Sequence, residues 1–155
     1  MKIFQKFALS FVFLSLFFSL GCIGGDEFAS GVLSNNISQP SACIFQSPGL
    51  ACNDNLIVEG VGVFAVISNG LQIEITNVEV ACVSGTVEPT SYTAISGTFS
   101  HGQSFSVAGV DCGTLTSGDS FVGNLYLRYN YIDDPSGVPK RVSVAHLSGV
   151  VQSGS

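Results

Sequence analysis

The side chains able to do chemistry in this chain are few. Five cysteines stand at positions 22, 43, 52, 82 and 112, two histidines at 101 and 146, and adjacent carboxylates at Asp133-Asp134 within a Pro-Ser-Gly turn cluster. His101 has Ser104 and Asp111 close by in sequence, the residue types of a nucleophilic relay. The Gly-x-Ser-x-Gly elbow is missing, however, and proximity in sequence does not build a triad. His101-Gly102 reads as a turn between strands, and His146 falls on an apolar phase of the last strand, where a partly buried imidazole is expected. Asp133 and Asp134, beside Pro135-Ser136-Gly137, carry the hard oxygen ligands that calcium prefers, but without the spacing of a calcium loop they read as turn residues. No cysteine pair has Cys-x-x-Cys spacing, and the sequence has no phosphate loop, dinucleotide fingerprint or His-Glu-x-x-His. The expectation is a non-catalytic chain with no metal and no cofactor. Tyr126, Arg128 and Tyr92 are of the residue types favoured at interfaces and offer an aromatic and cationic patch, but ordinary cross-strand packing of the tyrosines on a solvent face is the expectation for them.

Four of the cysteines suit disulfide formation in an oxidising compartment. Three pairings are open to Cys43, Cys52, Cys82 and Cys112. Pro48-Gly49, between the first two, favours Cys43 with Cys52 and leaves Cys82 for Cys112. Cys22 is the odd one, and its surroundings differ. Lys2 and Lys6 precede Phe7 to Leu20, an uncharged apolar stretch too short for a typical spanning helix and suited to the core of a signal peptide. Ser19-Leu20-Gly21-Cys22-Ile23-Gly24-Gly25 then resembles the lipobox of bacterial and archaeal lipoproteins. That resemblance implies cleavage before Cys22 and a lipid on its thiol. Residues 1-21 are therefore expected to be a signal peptide, and residues 22-42 a lipid-anchored flexible linker with an N-glycosylation sequon at Asn36.

Composition narrows the classes further. Charged residues make up 10% of the 155-residue chain, and eleven acidic residues outnumber five basic ones. Such a balance excludes an electrostatic nucleic-acid binder and argues against disorder. With the leader removed, only Arg128, Lys140 and Arg141 remain as cations.

Between residues 43 and 152 the pattern is strand, turn, strand. Val61 to Ile67 is a short apolar run bounded by glycine and by Ser68-Asn69-Gly70. Leu71, Ile73 and Ile75 then alternate with polar residues, and after Asn77 the phase flips, which requires a bulge. A second phase shift is expected at Gly109, between Val107 and Val110. Phe121, Gly123, Leu125, Leu127, Tyr129 and Tyr131 share one face of a long strand. Arg141 to Val151 forms the last strand. No segment holds a helical period, so the expected fold is all-β, an antiparallel β-sandwich of about seven strands.

The cysteine pair Cys43 and Cys52, Asn69-Gly70-Leu71 with Ile73 and Ile75, Cys82, the Gly123-x-Leu125-x-Leu127-x-Tyr129 strand and Gly149 resemble the small Ig-like domains of secreted and pilin-like archaeal surface proteins. The resemblance implies an Ig-like sandwich displayed outside the cell. Asn69-Gly70 departs from it, because the dipeptide favours a two-residue hairpin within one sheet. The functional expectation is a cell-surface lipoprotein, held to the membrane by lipid on Cys22, whose sandwich serves structural or interaction roles with other surface proteins. The alternatives are a pilin-like filament subunit that retains its apolar N-terminal helix, and a small secreted hydrolase or ligand-binding protein with its site in inter-strand loops.

Overall fold

The computed structural model describes residues 41–154, and Cys22, Asn36, the leader and most of the linker lie outside the described residues. Eight strands form two antiparallel sheets: β1 (Ala42–Phe45), β2 (Leu50–Val58), β3 (Gly62–Asn69), β4 (Ile75–Ser84), β5 (Thr93–Ile95), β6 (Ser104–Val110), β7 (Ser120–Tyr131) and β8 (Arg141–Val150). One sheet has the order β1-β8-β7-β4-β5 and the other β2-β3-β6. The count exceeds the expected seven because β1 and β5 are only four and three residues long, too short to leave a period in the sequence.

Strands β2 to β8 follow the immunoglobulin constant-type order with one change. In that arrangement the fourth strand lies beside the fifth. Here the fourth, β5, pairs instead with β4. This switch makes one sheet wide and the other narrow, and it leaves β6 at an edge.

Alternation along each strand places the core between the sheets. Leu125, Leu127, Val78, Val80, Ala145 and Leu147 from the wide sheet meet Ile57, Val63, Ala65, Ile67, Phe105 and Val107 from the narrow one, all buried. Phe105 stacks on Phe99 with ring centroids 4.4 Å apart. Two irregularities keep that alternation in phase. Asn77 takes a left-handed φ of 51°, and the register of β4 on β7 shifts between Thr76 and Glu79. Ala108 and Gly109 together oppose one residue of β3, with Gly109 at φ 63°. Both sit at the expected phase flips. They return Val80 and Val110 to the interior.

The hairpin expected at Asn69-Gly70 does not form. The chain crosses there to the other sheet, and β4 begins only at Ile75. Fully buried Asn69 explains the crossing. Its Nδ2 donates to Ile73 O at 2.9 Å and to Phe99 O at 2.8 Å, while its Oδ1 accepts from Leu71 N at 3.0 Å. Gly70 N also donates to Gly49 O at 2.7 Å. The carboxamide thus satisfies the backbone of Leu71 and Ile73, which a hairpin would have paired in a ladder.

Both disulfides join one sheet to the other. Cys43–Cys52 links β1 to β2 with Cα atoms 5.7 Å apart, and Cys82–Cys112 links β4 to the residues just after β6 with Cα atoms 4.6 Å apart. These are the pairs favoured by the Pro48-Gly49 turn.

Candidate functional site

The Cys82–Cys112 side of the sandwich holds a cleft of about 550 Å³. Its walls are β4 with the 85–93 segment on one side and Val110 to Gly113 on the other. Ser84, Thr90, Ser91 and Thr93 line it together with Glu88 and Asp111, and no Lys, Arg or His lines it.

The 85–93 wall is pinned to the outer face of the wide sheet. Asn124 Nδ2, on β7, donates to Gly85 O. The Arg128 guanidinium lies over the Tyr92 ring, 3.8 Å from its centroid, and pairs with Glu88 at 3.0 Å. Tyr92 and Arg128 therefore meet, and both are only partly exposed. Tyr126 is buried, so it does not form part of an exposed patch, because the 85–93 segment packs over its end of the sheet. Burial raises the Tyr92 phenol above its usual pKa, with Arg128 opposing that shift. The Tyr92 hydroxyl and Asn124 Oδ1 are both buried without a hydrogen-bond partner. Glu88 and Asn124 join Tyr92 and Arg128 without a signal in the sequence, since no period marks a loop that folds back on a strand.

The remaining candidates separate. His101 sits in the expected turn, where its Nδ1 donates to Leu71 O at 2.8 Å. Ser104 Oγ instead shares a hydrogen bond with Ser68 Oγ at 2.9 Å, and Asp111 Oδ1 accepts from Gly113 N at 2.8 Å. The three do not form a hydrogen-bonded relay. His146 is exposed, not partly buried. Ser143, Ala145, Leu147 and Gly149 take the inward phase of β8, which places His146 outside, where it accepts a hydrogen bond from the Gln46 amide at 2.7 Å.

Asp134 is committed to structure. Its carboxylate receives both guanidinium nitrogens of Arg141 and the Tyr131 N–H, and these donors, the Arg141 bond foremost, hold its pKa below the usual value. Arg141 in turn stacks 3.7 Å above the Tyr131 ring. Among the described residues no group of three His, Cys, Asp or Glu side chains is arranged to hold a metal ion. All three cations there are paired: Arg128 with Glu88, Lys140 with Glu79 and Arg141 with Asp134. Asp54, Glu59, Glu74, Asp111, Asp119 and Asp133 have no cationic partner among the described residues.

Comparison with family models, with curated proteins and with solved structures finds no match to this chain.

Proposed function

We propose that this protein is exported, tethered to the membrane through lipid on Cys22, and displays its sandwich outside the cell as a non-catalytic interaction module. The observation that carries this reading is the pair of inter-sheet disulfides, one near each flank of the sandwich. Such crosslinks persist where thiols are not kept reduced. The apolar leader and lipobox-like sequence around Cys22 support the same compartment, and the resemblance to archaeal Ig-like surface domains accords with it. The cleft beside Cys82–Cys112 is the surface best suited to contact a partner. Its hydroxyl and carboxylate lining favours ligands that bring N–H donors or positive charge and disfavours anions.

Mass spectrometry of the protein purified from its native membrane tests the tether. A mature N-terminus at Cys22 carrying a diacylglyceryl group is the expected result. An intact Phe7 to Leu20 segment would overturn it and favour the filament alternative.

A further inference from the structure

The narrow sheet has two edges, and the chain treats them differently. Along β2, Ser41 Oγ donates to Asn55 O at 3.1 Å. Gln152 bridges Val58 in parallel, with Gln152 N donating to Ile57 O at 2.8 Å and Glu59 N donating to Gln152 O at 2.9 Å. Among the described residues nothing pairs with the outer side of β6.

The hydrogen-bond rhythm of β6 follows from one contact. Asn69 N donates to Gln103 O at 2.9 Å, in the same register that pairs Ser68 with Ser104 and Ile67 with Phe105. Hydrogen-bonded and non-hydrogen-bonded pairs alternate in an antiparallel ladder. Phe105 and Val107 therefore direct their N–H and C=O groups to β3. Ser104 and Ser106 direct theirs away from it, to the open side. This stretch carries no lysine, proline or charge, the usual protections of an edge, and only the Ala108-Gly109 bulge interrupts it further along.

The opposite sheet decides what fits there. Across the sandwich β1 packs against β2 and β4 against β6, so β5 projects past β6. Ile95 pairs with buried Val78 and Thr93 with buried Val80, which places both on the inner face of β5. A single strand added to β6 would lie beneath this roof, with the 550 Å³ cleft beside the end of β6. A second whole sandwich joined edge to edge would bring its own β4 and β5 into the space β5 already takes.

We infer that the β6 edge receives an extended peptide segment of a partner protein by strand addition, a segment that is uncharged along its centre and basic at its ends. The inference deepens the interaction-module reading and rests on it for the partner's presence. Ser104 and Ser106 together offer four backbone groups to such a strand. On the outer face the small side chains of Ser104 and Ser106 separate the added strand from Phe64 and Val66 of β3. Charge selects the ends: Asp111 follows β6 directly, and Glu74, bonded by Ser100 Oγ at 2.8 Å, flanks the loop that feeds it. With every cation of the described residues paired, an acidic segment finds no counter-charge.

Residue-resolved amide hydrogen exchange on the full-length chain in detergent micelles tests this, with the synthetic peptide Lys-Thr-Val-Thr-Val-Thr-Lys as probe. The expected result is at least tenfold slower exchange at Ser104 and Ser106, with Phe105 and Val107 unchanged because they already bond to β3. Replacing the terminal lysines by glutamates should weaken the effect at least tenfold. N-methylating alternate peptide nitrogens, which keeps the side chains and removes donors, should abolish it. No slowing at Ser104 and Ser106, or equal slowing by the N-methylated peptide, overturns the inference. So does protection of these two amides before peptide is added, since the edge would then be covered by this chain's own remaining residues or, where protection grows with concentration, by a second copy. The state of Cys22 is read separately by mass, so failure of the tether and failure of strand addition are distinguishable.

Discussion

The two flanks of this sandwich solve one problem in opposite ways. At the β1/β2 flank the chain closes its sheet edge with Gln152, Ser41 and the Cys43–Cys52 bond. At the β5/β6 flank it shifts β5 to the other sheet, leaves β6 bare among the described residues, and places Cys82–Cys112 beside the resulting cleft. An unpaired edge is a hazard for aggregation. The closed flank shows that this chain has the means to seal an edge, so the open flank is the side on which exposed backbone and a polar cleft coincide.

The largest expected effects test whether the two flanks contribute unequally to stability. Replacing Cys82 and Cys112 by alanine frees a longer loop than replacing Cys43 and Cys52, with sequence separations of 30 and 9. Loop entropy sets the losses at about 3.5 and about 2.5 kcal/mol respectively. Urea denaturation of the two double variants checks the order, and a reversed order would show that the closed flank carries more of the fold. Asn69→Ala falls between the two, since it strips partners from two carbonyls and one N–H where the chain passes between sheets. A loss of about 3 kcal/mol is expected in the same measurement.

A smaller change would make the flanks alike. Gln152→Pro removes the N–H that bonds Ile57 O and should cost about 1 kcal/mol. Faster amide exchange at Glu59, whose partner is Gln152 O, would show the β2 edge opening. Smallest is a pH effect distant from both edges. Because Asp134 has a lowered pKa in the folded chain, its pairing stabilises the fold above the unfolded value near pH 4, and this contribution is lost as the pH falls through the lowered value. Asp134→Asn should therefore flatten the acid limb of a Tm-against-pH curve and leave the flanks' exchange behaviour unaltered.

Much of the framework was legible in the residues. The alternation from Phe121 to Tyr131 marked β7, because one face of that strand is committed to the core. Asn77 and Gly109 marked the bulges, since a phase flip between apolar rows has few other structural solutions. Pro48-Gly49 pointed to the disulfide pairing. Other features left no local trace. The choice of β4 over β6 by β5 concerns three residues without a period, and it is decided by tertiary packing. In β8 the apolar Val142, Val144 and Val150 obscured the inward phase, so His146 fell on the wrong side. Asn69-Gly70 carried the turn chemistry of a hairpin, yet the carboxamide was needed to bond strand-crossing backbone. For the candidate site, Tyr92 and Arg128 were identifiable by type, whereas the open edge of β6 follows only from the strand order.

Asn69 also gives the molecule a chemical clock. An Asn-Gly dipeptide deamidates when the glycine nitrogen attacks the side-chain carbonyl carbon to close a succinimide ring. In the folded chain Gly70 N is engaged with Gly49 O, and the carboxamide is held by three hydrogen bonds away from solvent. Ring closure must therefore wait for local opening of the crossover. The aspartate and isoaspartate that accumulate at position 69 record how often that region has opened over the protein's lifetime.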